Sequence, residues 1–305
     1  MRIVFFGTPS FAIPTLDALA REHEIALIVA QPDRPAGRGM KMQKPAVVVR
    51  AEELELPFAQ PQKIRTDEFL ESIAALEPDV GIVIAYGRIL PGRLLSIPKH
   101  GFLNVHGSLL PKYRGAAPIQ RAIAAGETET GVTIMRVDEE LDHGPMLAID
   151  TADIGADERL PAISERLADL GADAMLRVLR NLARGATIDR HQDHARATHA
   201  PKIEKSEGLV TFEEPAAQTY NRFRAFDPWP GLFLESGGQT IKIPEMRTTS
   251  GSGAPRTILE VGDGVVVATG EGALRLIELQ RAGKPRASAA DVARGLGWHA
   301  GARIP

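Results

Sequence analysis

Residues Asp79–Ala85 read DVGIVIA and are apolar at nearly every position. A strand with one wet face alternates between apolar and polar residues. A run without alternation suits a strand covered on both faces, as in parallel sheets wrapped by helices. Arg2–Gly7 and Glu24–Ala30 have the same character. Helical patterns fall between such runs, near Phe11–Arg21, at Val47–Leu54 and from a Thr66 cap to about Leu76, with Pro57–Gln60 as a brief strand. Further on, Pro91–Ile97 is a short helix, Gly101–His106 a strand and Pro118–Ala125 a helix. Thr130–Val137 and Met146–Ile149 are strands around the turn EELDHGP, and Asp157–Arg184 is a long amphipathic helix. This alternation predicts an α/β domain with a Rossmann-like open sheet.

After residue 184 the pattern changes. Asp189–Lys205 is polar and rich in His, Ala and Pro, the composition of a connector. Beyond it come short strands at Leu209–Phe212, Leu232–Glu235, Thr240–Ile243, Thr257–Val261, Val265–Thr269 and Leu274–Leu279, with one helix at Pro215–Ala225. Gly-rich turns separate them, which is the outline of a smaller β-barrel. The expected organisation is a first domain over 1–188, a linker over 189–206 and a C-terminal domain over 207–305; a chain of 305 residues suits two cores.

Several chemistries are excluded at this level. The chain has no cysteine, hence no disulfide, thiolate nucleophile or Cys-based zinc site. GTPSF, after the first strand, lacks the G-x-G-x-x-G spacing of a dinucleotide site, and no phosphate-binding G-x-x-x-x-G-K-[ST] occurs. A net charge of -3 supplies no global field for nucleic acid, so any such site is local. No apolar run approaches the ~20 residues of a membrane span, and MRIVFFGTPSF is no signal peptide; a cytoplasmic monomer with no membrane association is expected.

The stretch FLNVHGSLLPKYRGAAPIQ, Phe102–Gln120, carries the chemistry. Asn104 and His106 stand two apart on a strand and therefore share a face, at the carboxyl end where open α/β sheets bind ligands. An amide and an imidazole aimed at one point could hold an oxygen that becomes negative, as in acyl transfer. Asp142, in VDEELDHGPM, is the candidate carboxylate to orient His106. The same pattern also fits polar groups satisfied at a sheet end, and LDHG alone also fits a hairpin turn.

Together with QPDRPAGRG, IAYGRILP and FRAFDPWPG, this stretch resembles the signature of the 10-formyltetrahydrofolate-dependent formyltransferases, and the likeness runs from Arg2 to the C-terminus. The resemblance implies a catalytic trio of Asn104, His106 and Asp142, with no metal. It implies a folate lying against Ser108, Leu109, Leu110 and Pro111 and near the strand end at Ile84, Tyr86 and Gly87. It also implies an OB-like barrel for the C-terminal domain. The expected reaction moves the formyl group of 10-formyltetrahydrofolate onto the α-amino group of methionine carried by initiator methionyl-tRNA, for translation initiation. The alternative acceptor is a small amine, such as an amino-sugar nucleotide or glycinamide ribonucleotide. The family usually has Thr after the catalytic Asp; here it is His143, which either competes for Asp142 or is a solvent-facing turn residue.

Residues 34–50 contain Arg34, Arg38, Lys41, Lys44 and Arg50 and no acidic residue. A single-sign, Gly/Pro-rich loop can grip phosphates locally. The resemblance makes this the loop that enters the tRNA acceptor end, with Arg38 as its key arginine. In the C-terminal part, Lys242, Arg247, Lys284 and Arg286 are further candidates, and Trp229 is expected to be buried rather than stacked on a base.

Overall fold

A computed structural model describes residues 1–36 and 41–304. The chain divides into two compact units. The first comprises Met1–Ile119, Glu129–Asp153 and Ala162–Lys202, and the second Gln120–Thr128, Ile154–Pro161 and Ile203–Pro305.

In the first unit the elements run β1 (Arg2–Gly7), α1 (Ile13–Glu22), β2 (Glu24–Val29), β3 (Arg34–Ala36), β4 (Lys41–Gln43), α2 (Ala46–Glu53), β5 (Phe58–Ala59), α3 (Asp67–Ala74), β6 (Val80–Ile84), α4 (Gly92–Leu95) and β7 (Phe102–His106). Beyond α5 (Pro118–Ala124), most of which belongs to the second unit, come β8 (Glu129–Arg136), β9 (Met146–Asp153) and the long α6 (Leu160–Ala183). Seven strands form one sheet in the order β5-β2-β1-β6-β7-β8-β9. β7 is parallel to β6 on one side and antiparallel to β8 on the other. β1, predicted as a two-sided strand, has Ile3, Val4, Phe5 and Phe6 all fully buried. Val4 and Phe6 pack with Leu70 and Ile73 of α3, Leu94 of α4, Tyr86 and Phe102. The Phe6 ring meets Tyr86 and Phe102 edge-on, with centroids 5.2 and 5.4 Å apart. Each such ring contributes about 1.5–3 kcal/mol by leaving water. Thr66 caps α3 as its sequence position suggests, accepting from the Phe69 N–H.

α6 covers the β7–β8 part of the sheet. A Cβ on Gly171 would stand 2.6 Å from Val105, so only glycine allows this approach of helix to strand. Val105 therefore faces the helix, and alternation sends Asn104 and His106 to the opposite face.

The second unit holds α7 (Ala216–Ala225), β10 (Leu232–Ser236), β11 (Gln239–Thr249), β12 (Ile258–Val261), β13 (Val265–Ala268), β14 (Ala273–Arg281), β15 (Ala287–Ser288) and α8 (Ala289–Leu296). Its antiparallel sheet runs β10-β11-β14-β13-β12, with β15 also on β14. The register of β11 on β14 shifts at Lys242/Glu245 and again at Glu245/Met246. Such bulges bend a strand and curl a sheet toward a barrel-like form. The early segments belonging to this unit are fastened by charge: Arg121 bonds both carboxylate oxygens of Glu207, and the Tyr220 hydroxyl donates to Asp157.

Four expectations need correction. The Gly/Pro-rich basic loop expected after β2 contains two short antiparallel strands, β3 and β4, and the exposed β4 residues have no apolar period to announce them. Leu209–Phe212 is not a strand: Leu209 makes one bridge to Phe233, and Phe212 at φ 63° leaves extended geometry. α8 was unforeseen because its buried face is mostly alanine, although Ser288 caps it and Gly297 ends it in left-handed geometry. Trp229 is 54% exposed rather than buried. Among the described residues, no helix is long and apolar enough to cross a membrane.

Candidate active site

The site grows from the end of β7. Asn104 sits opposite Val83 of β6 and Met135 of β8, and His106 opposite Thr133. Asn104 is half-buried, and among the described residues nothing hydrogen-bonds its side-chain amide. His106 is only 5% exposed. Its Nε2 lies 2.9 Å from the Tyr113 carbonyl, which only accepts, so Nε2 carries the hydrogen. Its Nδ1 stands 3.6 Å from Oδ2 of Asp142. The imidazole is thus held between two acceptors, a carbonyl and a carboxylate.

The loop after β7 is tied down from below. Gly107 packs where a side chain would press on Ile119. The Ser108 hydroxyl donates to the Lys112 carbonyl at 2.7 Å and closes the SLLP turn. Thr133, next door on β8, donates to the Ser108 carbonyl at 2.7 Å and accepts from the Leu110 N–H at 3.2 Å. Leu110 is buried; Leu109 and Pro111 are half-buried. Asp142 approaches on the turn between β8 and β9 with φ at 50°, a left-handed position that Asp tolerates better than most residues. Its Oδ2 accepts from the Gly115 N–H at 2.8 Å. Gly115 itself has φ at 124°, and a Cβ there would lie 2.7 Å from the Ala200 carbonyl oxygen.

At the end of β6, Ile84 is buried and Ala85 turns with φ at 46°. The Tyr86 ring points into the Phe6 core, leaving its hydroxyl buried without a partner, and burial pushes the phenol pKa up. Only the backbone of Tyr86 is therefore available to a ligand. Gly87, by contrast, borders open space.

The basic segment is divided by its pairings. Lys44 bonds Glu52, and Arg50 holds Asp17 and Glu53. Arg34 donates to Gln31, and Lys41 is exposed, with no ion pair among the described residues. Arg38 lies outside the described residues.

His143 does not reach the Asp142 carboxylate. Its Nδ1 lies 2.8 Å from Asp138, and its ring stacks on His194 with centroids 4.1 Å apart. His194 in turn accepts at Nδ1 from buried Arg114, which also donates twice to Gln192. Arg114, Gln192 and His194 are absent from the sequence-based site. For Arg114, its place in the YRG motif seven to eight residues after His106 was the available signal. Gln192, in a polar stretch without period, gave none. Among the described residues, no group of three or more His, Asp or Glu is placed to hold a metal ion.

The sequence pattern of a family described as formyl transferase matches residues 1–179, and its C-terminal domain pattern matches 202–297. The chain belongs to the formyl transferase family. It is 45% identical, over 100% of its own length and 99% of the relative's, to methionyl-tRNA formyltransferase of Thermus thermophilus. It is 46% identical, over 97% of its length and 93% of the relative's, to the protein of the same name from Citrifermentans bemidjiense. Among solved structures, HypX from Aquifex aeolicus in complex with tetrahydrofolic acid shares the fold: TM-score 0.64, 19% identity, 98% of this chain and 48% of that one.

Proposed function

We propose that this formyltransferase moves the formyl group of 10-formyltetrahydrofolate to the α-amino group of methionine esterified to initiator tRNA. The observation that carries the reading is an unpartnered Asn104 amide and, on the same strand face, His106, joined by Asp142 from a turn remote in sequence with its Oδ2 3.6 Å from His106 Nδ1. Full-length relatives that bear the methionyl-tRNA formyltransferase name support this acceptor over a small amine. Gly87 bordering open space and the half-buried Leu109 and Pro111 suit a flat folate ring laid against the backbone.

In this scheme the free amine, with a pKa of roughly 7.7–8.0, needs no strong base before it attacks the formyl carbon. The carbonyl oxygen becomes negative in the tetrahedral state and takes hydrogen bonds from the Asn104 amide and the imidazole. With Nε2 committed to Tyr113, Nδ1 is the nitrogen that donates and that exchanges a proton with Asp142. The proton lost by the amine passes through this pair to N10 as the C–N10 bond breaks. Lys41 and Arg34, neither of them bound to a carboxylate among the described residues, are the described cations of the basic segment offered to tRNA phosphates, with Arg38 beside them in the sequence. An aminoacyl-tRNA substrate implies work in the cytoplasm.

The test is a formyl-transfer assay with 10-formyltetrahydrofolate and, in separate reactions, charged initiator tRNA, an amino-sugar nucleotide and glycinamide ribonucleotide. Formylmethionyl-tRNA as the main product is expected. Turnover of only the small amines would replace the acceptor, and water as the sole acceptor would replace the reaction.

A further inference from the structure

We infer that Gln192 is a positioning residue for Asp142: its buried side chain clamps the Asp142 turn from behind through two hydrogen bonds and ties it through two more to Arg114. This rests on the reading of Asp142 given above. The amide nitrogen of Gln192 donates to the carbonyls of Asp142 at 2.9 Å and Gly144 at 2.8 Å. The amide oxygen accepts from Nε and Nη2 of Arg114 at 3.1 and 2.7 Å. The orientation of the amide is fixed by its partners, since a guanidinium only donates and a carbonyl only accepts. All its hydrogen-bonding capacity is used, and Gln192 is only 5% exposed, so water cannot substitute for a lost bond.

The clamp reaches both sides of the carboxylate. On one side it grips the backbone on which Asp142 holds its left-handed conformation. On the other it grips Arg114, whose neighbour Gly115 donates its N–H to the Asp142 carboxylate. One side chain thus ties the residue that presents the carboxylate to the loop that aims it. The segment bearing Gln192 is itself anchored, since Arg190 and Met146 exchange backbone hydrogen bonds at 2.8 and 2.9 Å. His194 completes the shell by accepting from Arg114.

Gln192→Glu separates the two halves of the clamp. The new carboxylate keeps Arg114, but it turns an acceptor toward two carbonyl oxygens and releases the turn. The expected result is a kcat for methionyl-tRNA formylation lowered roughly 10- to 100-fold, because displacements on the order of 1 Å cost that much at a reacting centre. KM for the folate stays within about threefold, since the clamp touches no part of the folate site. Introduced into Asp142→Asn, the same substitution should cost little more, because a residue that acts only through Asp142 has nothing left to position. Hydrogen–deuterium exchange should rise in peptides spanning 138–146 and stay near the parent level in peptides of β1 and β6. Gln192→Met, which keeps the shape and loses both halves, serves if the Glu variant folds poorly. It should show the same absence of further loss in the Asp142→Asn background. Wild-type kcat in Gln192→Glu, or an equal loss in both backgrounds, overturns the inference. Full activity of Asp142→Asn alone would instead overturn the reading of Asp142, and the exchange data would still report whether Gln192 holds the turn.

Discussion

Asp142→Asn removes a charge and little else. The amide oxygen of asparagine can take the place of Oδ2 and still accept from the Gly115 N–H, and Asn tolerates left-handed geometry as well as Asp does. What disappears is a negative charge 3.6 Å from Nδ1 of His106. The two side chains are 5% and 13% exposed, so water screens the pair only in part. At an effective dielectric of about 20, opposite unit charges at this separation attract by about 4–5 kcal/mol. Relaxation of the site and entry of water recover part of this. If about half is lost from the transition state, the barrier rises by about 2–3 kcal/mol, or roughly 10²-fold in rate. Rapid-quench single-turnover formylation, with enzyme in excess over methionyl-tRNA, isolates that step. Folate affinity, measured by fluorescence titration, should be unchanged. A single-turnover rate within about threefold of the parent protein would refute the electrostatic reasoning and leave Asp142 as a turn residue.

Gly115→Ala should be worse for folding than its size suggests. It forces a side chain onto φ 124° and into the Ala200 carbonyl, which accepts from the Ala117 N–H. A loss of about 2–4 kcal/mol in urea unfolding is expected from strain and a broken bond together, and a parent-like midpoint would contradict it. His23 has its pKa lowered first by burial and then by the nearby N-terminal amine, and its Nε2 is buried without a partner. The unfolded chain therefore binds the proton more readily, so stability present above about pH 6.5 falls as pH drops below it. His23→Gln should flatten that slope in thermal melts between pH 5 and 7.5; an unchanged slope would assign it elsewhere. Glu207 has its pKa lowered first by its hydrogen bonds from Arg121. Its contribution is present above the ordinary carboxylate value of about 4.3 and is lost as pH falls through the lower folded value. Arg121→Met should destabilise the second unit at pH 6 and make little difference near pH 2, as measured by tryptophan fluorescence during unfolding.

The part of this protein built from regular repeats of polarity was legible in its sequence. Two-sided strands such as DVGIVIA have one physical explanation, and the spacing of Asn104 and His106 fixes a shared face before any fold is known. The Thr66 cap was equally plain, because its signal lies within four residues. What escaped was carried by long-range satisfaction of polar groups. Gln192 meets Asp142 across 50 positions, and no local pattern distinguishes it from the other polar residues of its segment. The same blindness concealed the true neighbour of His143. Adjacency in sequence suggested Asp142, whereas the turn geometry delivers Asp138 and a stacking partner from residue 194. Exposed ribbons such as β3–β4 escaped for the complementary reason, since they bury too little to leave an apolar trace.

Residues 190–200, which run along the first unit after its last long helix, bear on where this chain can be cut. The formyl transferase pattern ends at residue 179, and a fragment designed to that limit would retain Asn104, His106 and Asp142. It would nevertheless lack Gln192, His194, the Thr198 hydroxyl that receives the Tyr113 N–H, and the Ala200 backbone that borders Gly115. Such a truncation would expose the Arg114 guanidinium and leave the Asp142 turn without its Gln192 brace. A minimal catalytic fragment therefore has to extend to Lys202, some twenty residues beyond the boundary that homology alone would suggest.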